Sequence, residues 1–334
     1  MLIRSCRPAF PATGAMTSNA IHEDLLTKSK YTIPLEIAQI SLLPDLATQI
    51  DSYIALQPPK ERPTETIFVV SFGFWDVYDF SRMDFPIAQN GTDSSIREIF
   101  KQLDILYNYF VTNLYLTDAV DGTETSQTPS FRVILPRLFD PTLLPGWIAL
   151  RPHAPAPSSV AEQQKNAVYL TERWNNMMEN QVAQWVVTTP APPLPEFEQS
   201  EGEAHEDARN NYERSEAAEP APPIQKDVFY YDLPKLLLDI IVEHQLEDEG
   251  LSDAHGNGKG ESPFESVYQP CVREAESDDT DGLIDLNGML VCKEPEEYLF
   301  WDAFNLGSVA KGMIGREVGE MVTENKTLRA KWGH

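Results

Sequence analysis

The chain has 334 residues, 42% of them hydrophobic, enough to bury a real core as one large domain or two small ones. Its net charge of −26 argues against nucleic acid and anionic membrane surfaces, because either partner would repel it. Much of that charge falls in 196–219 and 246–281, which marks it as a property of solvated insertions rather than of a binding face.

The N-terminal run MLIRSCRPAFPATG lacks the apolar centre of a secretory signal. No apolar stretch anywhere has the length of a membrane span. From Pro44 to about Ile54, Leu46, Ile50 and Ile54 share one helical face. TIFVVSF (66–72) is a continuous β-branched and aromatic run, the pattern of a strand buried on both faces. Ser95 and Glu98 have the spacing of a capping box, and Ile96, Ile99, Leu103, Leu106, Phe110 and Leu114 form the stripe of the helix it would open. FRVILP (131–136) is a second buried strand, ended by Pro136, and 162–186 reads as a long helix. The segment 188–226 is rich in Pro, Glu, Ala and Ser and cannot bury enough surface to offset its ordering entropy, so it is expected to be disordered. DVFYYD (227–232) is a third strand, and Pro234 suits the first turn of a helix running to about His244. Residues 246–282 read as a polar, acidic loop insertion. The last helix is expected to begin near Asn305 and to bury Val309, Met313, Val318 and Met321 or Val322.

Strands separated by helices imply parallel pairing through right-handed crossovers, hence a single α/β domain over 1–334, a three-layer α/β/α sandwich. Functional residues in such sheets gather beyond the carboxyl ends of the strands, which points to Gly73–Asp76 and Asp302–Asn305. Cys271 and Cys292 bracket an acidic loop and can close it as a disulfide, with Cys6 left over. Two glycosylation sequons begin at Asn90 and Asn325. Together with the cysteines they suit a secretory protein.

Three stretches carry a family signal. C-x-x-P-x-x-Y-L-F-W-D occupies 292–302, FVVSFGFWD occupies 68–76 and FPATGAMTSN occupies 10–19. They resemble the last, third and second sequence blocks of the GDSL, or SGNH, family of ester hydrolases. The resemblance implies a flavodoxin-like parallel sheet and serine-dependent hydrolysis of esters, acetyl esters of carbohydrates among them, through an acyl-enzyme. It implies no cofactor and no metal. It makes Gly14 the oxyanion glycine, matches Gly73 and Asp76 to the third block, and makes Asp302 the triad aspartate. It also implies that Cys292 pairs with the earlier Cys271.

The departures from the family pattern bear on activity. No Gly-Asp-Ser stands upstream of Gly14, so the resemblance implies a missing nucleophile block and a missing first strand, as in an N-terminally truncated chain. Trp75 replaces the asparagine of the third block, and indole offers one donor in a different place. Asn305 replaces the histidine of the last block, and an amide cannot take a proton from a serine hydroxyl at neutral pH. The expectation is a catalytically impaired hydrolase homologue. Its rivals are a non-catalytic binding or scaffold protein on the same fold, and a hydrolase whose base is a histidine from elsewhere, such as His22 or His153.

Plainer roles stand beside these. Asp302 is expected to cap the last helix, and Asn305 to be a residue at that helix's opening. Gly14 either donates its N–H to an anion or permits a turn. Trp75 is expected to fill a pocket, and Asp76 to accept hydrogen bonds from loop amides. His205 and His255 lie in the polar insertions. His22, His153, His244 and His334 have no partners at metal-ligand spacing, so no zinc site is expected.

Overall fold

The computed structural model describes residues 15–28, 43–56, 66–115, 130–151, 158–188, 224–254, 256–260, 262–274, 283–284 and 289–328. Gly14, Cys6, His153, His205, His255, His334 and residues 189–223 of the Pro- and Glu-rich segment lie outside them.

Three strands form a parallel sheet in the order β1 (Ile67–Val69), β2 (Ser130–Pro136), β3 (Gln225–Tyr231). Ile67 pairs with Arg132, and Ser130 with Gln225. β2 is central, and its Phe131, Val133 and Leu135 are essentially inaccessible to water, which is why the run reads as continuously apolar. β1 departs from that expectation. It is a three-residue edge strand whose Val69 is 68% exposed, because it has a neighbour on one side only.

The helices α1 (Asn19–Lys28) and α2 (Leu46–Ile54) are tied by one carboxylate. Asp45 caps α2 by accepting from Thr48 N at 3.0 Å, and its other oxygen accepts from Asn19 N at 3.1 Å. After β1 come α3 (Phe74–Phe80) and α4 (Phe85–Tyr109), then, past β2, a short α5 (Gly146–Ala149) and the long α6 (Val160–Val187). Ser159 caps α6 through Glu162 N. α4 and α6 are joined by a bidentate Arg173–Asp93 pair, both contacts 2.7 Å, and by Trp185 Nε1 donating to Asp104. With α1 and α2 they cover Phe131, Val133, Leu135 and Val228 of the sheet.

α7 (Leu233–Asp248) follows β3, with Pro234 in its first turn and Asp232 as its cap. The segment expected to be loop over 246–282 holds β4 (Ser266–Pro270) and β5 (Val272–Glu274). β4 pairs with β8 (Tyr298–Phe300) in parallel, and β5 pairs with β7 (Met289–Val291), which also pairs with β6 (Leu283–Ile284). These strands are two to five residues long and mostly half-exposed, so their sequence carries little apolar alternation. Cys271 and Cys292 are disulfide-bonded, Cα atoms 4.9 Å apart. The last helix, α8 (Ser308–Thr323), starts three residues later than expected. It fully buries only Ala310, while Val309, Met313, Val318 and Met321 are half-buried against α7, Tyr231 and Phe300. Among the described residues the protein is thus a mixed α/β structure with a three-stranded parallel sheet and two smaller sheets.

Asn90 lies inside α4, where the Thr92 hydroxyl is buried and donates to Ala88 O. Asn325 sits exposed just beyond α8. Among the described residues no helix is long and apolar enough to cross a membrane.

Candidate functional site

The chain leaves β1 through Gly73, whose φ of 109° only glycine adopts without strain. A Cβ there would also lie 2.2 Å from the Trp174 ring. Gly73 therefore serves as the tight opening of α3, which carries Trp75 and Asp76 in its first turn. Asp76 is buried and accepts three hydrogen bonds: from Thr17 N at 3.0 Å, Thr17 Oγ1 at 2.9 Å and Ser95 Oγ at 2.8 Å. Burial raises its pKa, and the Ser95 and Thr17 donors oppose the rise. Ser95 is not a helix cap. α4 begins ten residues earlier, at Phe85 behind Asp84, and Ser95 uses its hydroxyl on Asp76 from mid-helix.

One turn on, Asp79 meets both His22 of α1, through Nε2, and Arg82. Arg82 answers the Asp79 charge, so the imidazole need not. Burial pushes His22 down to about 4, against the pull of Asp76. Asp76, Asp79 and Arg82 share one inward face of WDVYDFSR. Asp79 was missed in the sequence, where a second acid three residues after Asp76 in an apolar run was its one signal, and His22, 57 residues from its partner, gave none.

The second cluster follows β8. Asp302 Oδ1 accepts from Phe304 N at 2.9 Å and from Asn305 N at 2.8 Å. Asn305 Nδ2 reaches both Asp302 oxygens, at 3.0 and 2.9 Å. Asp302 therefore closes a reverse turn rather than capping α8, whose N-cap is Gly307. The turn is pinned behind by Trp301 N to Asn305 O at 2.7 Å and Gly307 N to Leu299 O at 2.8 Å, so the chain doubles back before the helix can start.

Phe304 joins the two clusters. Its ring centre lies 4.9 Å from that of Trp75, 5.4 Å from Tyr78 and 6.1 Å from Phe74. Gly146 N donates to Ala303 O at 2.8 Å, which holds the turn against the connection after β2. Arg151 closes the aromatic group from that side, its guanidinium 3.5 Å above the Trp147 ring and 4.8 Å from Tyr78. Burial lowers its pKa to about 9. Trp75 thus meets the 302–305 turn through Phe304, whereas Gly73 packs against Trp174 and Asp76 is engaged elsewhere, with Thr17 and Ser95. Sequence reading missed Phe304, Trp147 and Arg151, since residues scattered between Phe74 and Phe304 form no motif.

Chemically, the turn offers a carboxylate already saturated by donors and an amide that cannot act as a base. Among the described residues no cluster of three or more His, Cys, Asp or Glu could hold a metal ion. No family model and no curated protein matches this chain.

Proposed function

We propose that this chain is a GDSL/SGNH-type hydrolase homologue that keeps the frame of the ester-cleaving site without its proton chemistry. The observation that carries the reading is the Asn305 amide held on both oxygens of Asp302. That is the place, three residues after the aspartate, where the family has its imidazole. An amide locked in this way cannot serve as general base. No Gly-Asp-Ser occurs in residues 1–334, and Trp75 occupies the position of an oxyanion donor. The three-layer, flavodoxin-like arrangement belongs to the same proposal. It is supported by β3, whose Val228 joins the core under α4 and α6 while Tyr231 joins that of α7 and α8. The Cys271–Cys292 bond supports a secretory setting, where disulfides persist.

The test is hydrolysis of p-nitrophenyl acetate by the purified chain against a heat-denatured control. No turnover above the control is expected. Asn305→His alone stays silent as well, because base and nucleophile act as a unit and losing either removes most of the rate. Saturable turnover by the unmodified chain that vanishes in His22→Ala would overturn the reading and make His22 the base. Binding without turnover favours the second reading, a non-catalytic binding protein, for which the Phe74–Trp75–Tyr78–Phe304 group is the supporting feature.

A further inference from the structure

The connection from α7 to β4 carries the pair Asn257–Gly258. Gly258 has a φ of 79°, and a Cβ there would lie 2.2 Å from Leu251 O and 2.6 Å from the Leu246 side chain. The fold therefore demands glycine at 258. That demand has a chemical consequence, because glycine is the neighbour that least hinders attack of its own peptide nitrogen on an asparagine side chain. In that reaction the Gly258 nitrogen loses its proton and bonds to Asn257 Cγ, and Nδ2 leaves as ammonia. Water then opens the resulting succinimide to aspartate or to isoaspartate. Water is the only co-reactant.

Both reacting groups are held. Gly258 N donates to Glu243 Oε2 at 2.7 Å. A carboxylate is far too weak a base to take an amide proton, and its charge opposes the anion that ring closure requires beside it. Asn257 Nδ2 donates to Asp253 Oδ2 at 2.9 Å, Asn257 N donates to Asp253 Oδ1 at 2.9 Å, and Asp253 N donates to Asn257 O at 3.0 Å. Asp253 thus fixes the backbone and the carboxamide together, and opposes the rotation that ring closure needs. The grip extends along the same stretch. Glu243 Oε1 accepts from Gly260 N at 2.9 Å, and Glu247, one turn further along α7, accepts from Ser262 N at 2.7 Å. The other Asn-Gly pair among the described residues, Asn90–Gly91, lies inside α4.

We propose that Asn257 is a self-modification site, kept as asparagine by Glu243 and Asp253 while the connection is closed on α7, and converted to aspartate or isoaspartate once it opens. The conversion is a one-way latch. An aspartate at 257 sets a carboxylate against Asp253 where an amide donor stood. Isoaspartate adds a methylene to the main chain just before Gly258. Neither product restores the clasp.

The experiment is incubation of the full chain at neutral pH, with peptide mass spectrometry resolving asparagine, aspartate and isoaspartate at positions 257 and 90. Asn257 should persist in the folded parent and convert in the urea-unfolded chain. Glu243→Gln sets an N–H against one of the two glycine amides, and should speed conversion of folded Asn257 about tenfold, the worth of one hydrogen bond to a charged group. Asn90 should convert no faster in that variant, because α4 is untouched. Asn257→Asp should raise hydrogen–deuterium exchange at Gly258, Gly260 and Ser262 while α4 stays as protected as in the parent. Equal rates for folded and unfolded parent, or for parent and Glu243→Gln, overturn the proposal. Faster conversion of Asn90 alongside Asn257 traces the effect to global unfolding and overturns the local role of Glu243. Unchanged exchange in Asn257→Asp overturns the latch.

Discussion

Burial moves both His22 and Asp76 toward their neutral forms, and the two act on the pH dependence of stability in opposite directions. An imidazole near 4 in the folded chain and 6.5 when unfolded binds its proton more readily in the unfolded state. Its contribution is complete above pH 6.5 and is lost as pH falls through the interval down to 4, by roughly 3 kcal/mol at about 1.4 kcal/mol per pKa unit. Asp76, raised by burial, holds its proton longer when folded, so its contribution fades as pH rises above 3.8. Comparing denaturant unfolding of the parent and His22→Gln between pH 7 and pH 4 isolates the imidazole. The parent should lose more stability on acidification than the variant, and parallel curves would mean that His22 is charged in the fold. Asp76 could be read from the sequence as a polar residue beyond a strand end. Its partners Thr17 and Ser95 could not, because a hydroxyl inside an amphipathic helix looks the same whether it faces a carboxylate or water.

At the level of elements, two glycines make opposed predictions. Gly73→Ala forces a side chain into a left-handed backbone and against the Trp174 ring, and should cost more than about 2 kcal/mol. Gly315→Ala lies mid-helix in α8 with open space around it, and should stabilise by about 0.5–1 kcal/mol. Urea midpoints of the two variants against the parent provide the check. β2, β3, α6 and α7 were legible because each is a run with one period, and Pro136 ends β2 while Pro234 opens α7 behind β3. The start of α4 was not. PIAQNGTDSS reads as a turn, yet Gly91 there lets α4 approach Leu25 and Phe80, where a Cβ would sit 2.5 Å from the leucine. Close helix contact overrode local propensity. The turn at 302–305 was mistaken for a helix start for a related reason. An aspartate three residues before an amide caps a helix and closes a reverse turn with the same hydrogen bonds.

For the molecule as a whole, the disulfide closes the antiparallel β5–β7 pair directly behind the candidate site. Cys271 N donates to Phe300 O and Val272 N to Trp301 O, so the bonded pair sits directly behind Asp302. Cys292→Ser should cost about 3 kcal/mol by the chain-entropy argument for a loop of 21 residues. It should also raise amide exchange at 300–305 more than in α4, as hydrogen–deuterium exchange can resolve. Uniform protection in both regions would mean that the hairpin holds the turn without its bond. The strand order along the chain was foreseeable from alternation of strand and helix. The small sheets and the meeting of Phe74, Trp75 and Tyr78 with Phe304 depended on long-range packing that no local pattern encodes.

The parallel sheet draws its three strands from 67–69, 130–136 and 225–231, with long connections between neighbours. No strand can find its partner through a short hairpin, so each pairing must first close a large loop. Assembly should therefore be slow, with α4 and α6 acquiring helical order well before the sheet locks. While it waits, β2 is an unpaired, almost wholly apolar segment. That makes the newly made chain most vulnerable to self-association in the interval before residues 225–231 arrive to cover its second edge.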